Sequence, residues 1–150
     1  NSFKVVPGNK ISSEAVLIYD DQREPSPRPH FLNDWLKNSH GYVSAIVDNN
    51  GMCHGFGRIR PCVLEDNEQG WRIGPLLADT PPLAELLIRE LVGNLDAQIL
   101  LDCSNLNPYA NYLLSSLGFE EISKTYRMYK GIQPFCPMNQ VYGLACLELG

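Results

Sequence analysis

The stretch ILLDCSNLNPYANYLLSSLGF, residues Ile99–Phe119, carries a strand, a polar turn and a helix in immediate succession. Ile99–Asp102 is a short apolar run closed by turn chemistry, the pattern of a strand buried within a sheet. Asn107 is a good N-cap, and Pro108 then falls at N1, where its missing N–H costs nothing. Ala110, Leu113, Leu114 and Leu117 recur at i, i+3, i+4 and i+7, so one helix face is apolar. Gly118 suits a left-handed C′ position, from which Phe119 can fold back over the last turn.

Upstream, Asp79-Thr80 caps another helix, with Pro81-Pro82 in its first turn and Leu83, Leu86, Leu87 and Leu91 as its expected buried stripe. Trp71–Leu77 before it is a strand, and Pro75, with no N–H to donate, should break its ladder. Tyr42–Val47 and Met52–Arg60 flank Asp48-Asn49-Asn50-Gly51, and Asn-Gly between two strand-like runs predicts a hairpin. Ala15–Tyr19 reads as a strand, Asp20–Pro29 as a loop, and His30–Asn38 as a short helix burying Phe31, Leu32, Trp35 and Leu36. Downstream, Glu120–Lys130 and Val141–Leu149 read as strands. The order β-α-β-β-β-α-β-α-β-β predicts an α/β fold: a mixed sheet, parallel near its centre, with helices on both faces.

A chain of 150 residues with 44 % hydrophobic content suits one domain with a substantial core. A net charge of −5 argues against nucleic acid and against a polybasic membrane surface as partners. No apolar run approaches the roughly 18–20 residues that span a bilayer. Residues 1–13, with Pro7-Gly8 and no clear period, are expected to be a linker or the end of a preceding domain, leaving 14–150 as the domain itself. The opening Asn1 fits a piece of a longer protein, with no leader to read. The five cysteines are scattered and form no CxxC pair, so no metal is expected. Reduced thiols fit an intracellular, cytoplasmic location.

Asn107-x-x-Ala110-x-x-Leu113…Gly118-Phe119, set in this element order, resembles the helix and Gly-Phe ending of the GNAT superfamily of acyl-CoA-dependent N-acetyltransferases. Further segments resemble the GNAT-like C-terminal domain of uncharacterised tandem GNAT proteins. These are Phe31-Leu32-x-x-Trp35-Leu36, Gly55-Phe56-Gly57-x-Ile59-Arg60-Pro61, Arg72-Ile73-Gly74-Pro75-Leu76-x-Ala78-Asp79, Tyr126-Arg127-Met128-Tyr129 and Tyr142-Gly143-Leu144-Ala145. The likeness spans about residues 15–150 and implies a sheet splayed at its centre between two parallel strands. It also implies transfer of an acetyl group from acetyl-CoA, or another acyl-CoA, to an amine. The pantetheine arm would enter the splay along Pro75, Leu76, Leu77 and Ala78, reach Thr80 at the helix start, and pass Cys103 and Asn107.

The chain departs from the family pattern in two places. Ala78–Ala84 has neither the glycines nor the basic residue with which the family grips a pyrophosphate, and Asp79 adds negative charge there. Leu114 stands where many members place a tyrosine that protonates the leaving thiolate, and Tyr109 and Tyr112 point elsewhere. Arg58 and Arg60 alternate on one strand face beside Gly55 and Gly57 and are candidates for an anionic ligand, or are two solvated arginines. Asp102, at the C-terminal end of an internal strand, either orients or deprotonates an amine, or caps the following turn. His54, with no partner evident in the sequence, reads as structural. Two functions are therefore in view: an N-acetyltransferase acting on an unidentified amine, and a GNAT-fold binding module supporting a preceding partner domain.

Overall fold

The structure, a computed structural model, describes residues 2–10, 12–23, 41–64, 67–104, 107–121 and 140–143. Strand β1 (Lys4–Pro7) leads through a short 3-10 turn to helix α1 (Ser13–Asp21). Strands β2 (Tyr42–Val47), β3 (Cys53–Val63) and β4 (Gln69–Ala78) follow, then helix α2 (Pro81–Val92) and strand β5 (Ile99–Leu101). Helix α3 (Pro108–Ser116) and strand β6 (Val141–Gly143) complete the described elements. The sheet runs β1-β2-β3-β4-β5, with β6 also paired to β4. All neighbours are antiparallel except β4 and β5, which are parallel. The expected mixed sheet is present, and helices cover both faces.

Two early elements differ from expectation. Ala15–Tyr19 is not a strand but the middle of α1, because Val16, Tyr19 and Asp20 recur at i, i+3 and i+4 and are all buried. A five-residue β-branched and aromatic run does not separate strand from helix, so packing decides. Residues 4–7 are not linker: they pair with β2 from Lys4↔Val47 to Pro7↔Ser44 and extend the sheet by one strand. The expected helix at His30–Asn38, and most of the strands expected at Glu120–Lys130 and Val141–Leu149, lie outside the described residues.

The Asp48–Gly51 hairpin forms as expected, with Asp48 Oδ1 accepting from the amides of Asn50 and Met52. On one face of the sheet, α2 and α3 bury Ala84, Leu87, Ile88, Leu91, Ala110, Leu113 and Leu114 over Ile59, Ile73 and Leu76. The buried stripe of α2 is thus rotated from the expected one: Ala84 and Ile88 face inward, and Leu86 is exposed. Gly55 and Gly57 admit this helix closely, since a Cβ on Gly57 would lie 2.7 Å from Leu76 Cδ1 and 3.0 Å from Leu91 Cδ1. On the other face, Val16 and Tyr19 of α1 pack over Ala45, Phe56, Leu77 and Val141.

Helix α3 begins and ends as its sequence predicts. Asn107 Oδ1 accepts from the amides of Tyr109 and Ala110 at 3.0 and 3.2 Å. At the other end, Gly118 has φ +93°, its amide donates to Ser115 O, and the Phe119 amide donates to Leu114 O. That pair of bonds is a Schellman cap, and Phe119 packs on the core beneath it. No helix among the described residues is long and apolar enough to cross a membrane.

Candidate functional site

Strands β4 and β5 run side by side only from Trp71↔Ile99 to Ile73↔Leu101. The ladder then fails at the position Pro75 predicts. Opposite it, the two steps from Gly57 to Ile59 on β3 face three from Leu76 to Ile73 on β4, which is a bulge at Gly74-Pro75. Gly74-Pro75 is joined by a cis peptide bond. Beyond the bulge, β4 keeps β3 on one side through Leu76, Leu77 and Ala78, and its other edge is released by β5.

That edge is not open. Strand β6 pairs with it, Leu76 opposite Gly143 and Leu77 opposite Val141. The backbone of Leu76 and Leu77, expected to be available to a pantetheine arm, is thus hydrogen-bonded within the sheet on both sides. Three contacts fix β6 in the splay. Asn107 Nδ2 donates to Val141 O at 3.0 Å, so the side chain that caps α3 also holds this strand. Tyr142 is fully buried in the cluster beneath α2 and α3, and burial raises its phenol to about 12. Gly143 lies so close that a Cβ there would meet Leu76 Cβ at 3.1 Å and Leu101 Cγ at 3.6 Å, placing it between β4 and β5.

The start of α2 is also occupied by the chain itself. Thr80 holds the N-cap position but makes no side-chain cap, and Pro81 and Pro82 remove two donors from the first turn. Asp79 beside it is the hub of a polar cluster. Its Oδ1 takes the Tyr19 hydroxyl at 2.7 Å and Arg23 Nη2 at 3.0 Å, and its Oδ2 lies 2.7 Å from His54 Nδ1. His54 Nε2 reaches Asp48 Oδ2 at 2.8 Å. With a carboxylate facing each ring nitrogen, the arrangement favours the doubly protonated, cationic form of His54. Burial opposes that charge, but the hydrogen bonds and charges of Asp48 and Asp79 outweigh it and hold His54 above its ordinary value. The Arg23 guanidinium lies 3.4 Å over the Tyr19 ring, and Phe3 meets the imidazole edge-on.

The pairing register explains this cluster. Gly55 opposes Ala78, and the Asp79 amide donates to His54 O, so His54 and Asp79 are neighbours across two strands. Asp48 is brought in by the hairpin. Neither partner of His54 is evident in the sequence: Asp79 comes opposite it only through the one-residue register shift between β3 and β4 at Gly74-Pro75.

The other candidates are dispersed. Arg58 is 1 % exposed, and burial followed by the nearby charge of Arg60 lowers its pKa. The two guanidiniums are close, as alternation predicts, but Arg58 is inside the fold and neither residue is without partners. Asp102 forms an ion pair with Arg72, tying the end of β5 to β4 just before the splay. Its carboxylate is thus engaged by Arg72 and remains partly exposed. Cys103 is half-buried, its Sγ 3.4 Å from Ser104 O, and burial pushes its thiol up to about 11. Leu114 is buried at the position of the family's acid, and Tyr109 and Tyr112 face outward at 50 % and 82 % exposure. Among the described residues no group of three or more His, Cys, Asp or Glu is placed to hold a metal ion.

These residues do not fit acyl-CoA in this arrangement. The edge the arm would use is spent on β6, and the helix start offers a carboxylate and two prolines where phosphates need N–H donors.

The profile of the acetyltransferase (GNAT) domain family matches residues 16–143. A holothin acyltransferase of Pseudoalteromonas sp. (strain SANK 73390) is 28 % identical over 141 residues, which is 91 % of this chain and 45 % of that protein. The chain thus spans about half the length of this curated relative. The structure superposes on an aminoglycoside antibiotic 6′-N-acetyltransferase from Acinetobacter haemolyticus with TM-score 0.62 and 14 % identity, covering 87 % of this chain and 99 % of that one. For glucosamine-6-phosphate N-acetyltransferase from Arabidopsis thaliana the TM-score is 0.59 at 14 % identity, covering 86 % and 99 %. At such identities the superpositions establish the fold alone.

Proposed function

The chain belongs to the GNAT acetyltransferase family, and from that premise we propose that it is one domain of a longer N-acyltransferase that moves an acetyl or other acyl group from acyl-CoA to an amine. The observation that carries this reading is the parting of β4 from β5 beyond Ile73 and Leu101, at the Gly74-Pro75 bulge. The acyltransferase relative, of which this chain matches 45 %, supports both the activity and a second domain in the intact protein. The free thiols of Cys53, Cys62 and Cys103 fit a cytoplasmic setting. In this reading the acceptor is a small amine, and Arg58, buried at 1 % exposure, has no direct part in binding it.

A second reading has its own support. Strand β6 on the β4 edge and Asp79 at the start of α2 favour a supporting domain, which shapes the site of a tandem partner without binding a donor itself.

Acetyl-CoA titration of the full-length protein by calorimetry, with thiol release measured over a panel of primary amines, tests the first reading. Saturable heat and amine-dependent thiol release are expected. No heat at millimolar acetyl-CoA, together with no thiol release, would overturn it.

A further inference from the structure

Backbone polar groups on a strand edge serve one partner at a time. On β4 that partner, beyond the bulge, is β6, with Leu76 and Leu77 committed to Gly143 and Val141. The occupant is embedded: Val141 is 3 % exposed and Tyr142 fully buried, and they pack on opposite faces of the sheet. It is also tied down, through Val141 O, by the buried Asn107. Gly143 fits between Leu76 and Leu101 because it has no side chain.

We propose that β6 and the pantetheine arm of acyl-CoA are mutually exclusive occupants of the β4 edge at Leu76 and Leu77, so that this domain admits an acyl donor only when β6 withdraws. The inference rests on the acyl-CoA reading above and adds a condition to it. Both a strand and an amide-bearing arm would bind by adding a row of hydrogen bonds to an unpaired sheet edge. When a competent state is a small fraction of the ensemble, apparent affinity falls by that fraction. Weakening β6 should then tighten donor binding, the reverse of what damage to a binding site does.

The test is amide hydrogen exchange on the full-length protein, read on peptides covering residues 76–78 and 141–143, with and without saturating acetyl-CoA. Wild type is compared with Gly143→Val, whose Cβ would crowd Leu76 Cβ at 3.1 Å, and Tyr142→Ala, which removes the anchor of β6 on the core. The second variant keeps the comparison available if the first fails to fold. Slow exchange at 141–143 is expected without acetyl-CoA. Saturating acetyl-CoA should release those amides, and unchanged slow exchange at 141–143 with acetyl-CoA bound at this domain would count against the competition. In the variants residues 76–78 should gain protection, with an apparent Kd at this domain about tenfold lower than in wild type.

Three further results overturn the proposal: fast exchange at 141–143 without acetyl-CoA, simultaneous protection of both segments by acetyl-CoA, or no change at 76–78 in either variant although the protein turns over elsewhere. In the last case the acyltransferase reading of the protein survives. Absence of both binding and turnover in all forms removes that reading itself, and the competition with it.

Discussion

Asn107 shows how one side chain can set the geometry of a site without standing in it. Its carbonyl oxygen caps α3 at Tyr109 and Ala110, and its amide nitrogen donates to Val141 O. Asn107→Ala removes a cap worth ~1 kcal/mol and strands a buried carbonyl, at about 1–3 kcal/mol. A loss of about 2–4 kcal/mol in urea unfolding is expected. Asn107→Ser separates the two tasks, since serine restores the cap acceptor without reaching Val141. It should recover ~1 kcal/mol over alanine, with β6 amides still exchanging faster than in wild type. Recovery of the whole loss by serine would mean that the Val141 bond contributes nothing.

At the level of elements, α3 and α1 mark the two extremes of what a sequence discloses. Helix α3 carries its boundaries in its own residues. Gly118 sits at φ +93° with open space around its missing Cβ, so Gly118→Ala tests conformation alone. It should cost about 1–2 kcal/mol, read as a lower urea midpoint; an unchanged midpoint would mean the Schellman cap is not maintained in solution. The hairpin at Asp48–Gly51 and the break at Pro75 were legible for the same reason, because turn residues and proline act on their own backbone. Helix α1 has no such local marker. Its run AVLIY suits either element, and the choice falls to Val16 and Tyr19 packing on Phe56 and Leu77, contacts that no short window contains. The occupation of the β4 edge by β6 is of the second kind. Val141 lies far along the chain from Leu77, and an apolar strand pattern does not say which edge it will join. Asp102 directly follows β5, and its ion pair with Arg72 depends on the parallel register of two strands separated by α2.

At the scale of the whole molecule, the cluster around Asp79 binds four parts of the fold at one point: α1 and the turn that follows it through Tyr19 and Arg23, the β2–β3 hairpin through Asp48, β3 through His54, and the start of α2. The Phe3 ring closes it from the segment before β1. Its stability should depend on pH with a definite sign. His54 is held above its ordinary value of about 6.5, so the folded protein keeps a proton that the unfolded chain gives up. The stabilisation is complete below that ordinary value and is lost as pH rises through the folded one. Asp48 is shifted the other way, lowered first by its hydrogen bond with His54, so its contribution is lost only in acid, as pH falls through its folded value. Between pH 6 and pH 8, then, unfolding followed by urea should give a midpoint that declines with pH. His54→Ala should lower the midpoint by the equivalent of about 1–3 kcal/mol at pH 6, less at pH 8, and flatten the decline. Staying at or below pH 8 avoids the Cys53 and Cys103 thiols, which burial raises to about 11 and which add a loss of the same sign only where the unfolded thiols ionise. A variant that kept the wild-type slope would place the titration elsewhere. A variant that lost the same amount at every pH would make His54 a packing group, its charge immaterial to how the hairpin and both helices are joined.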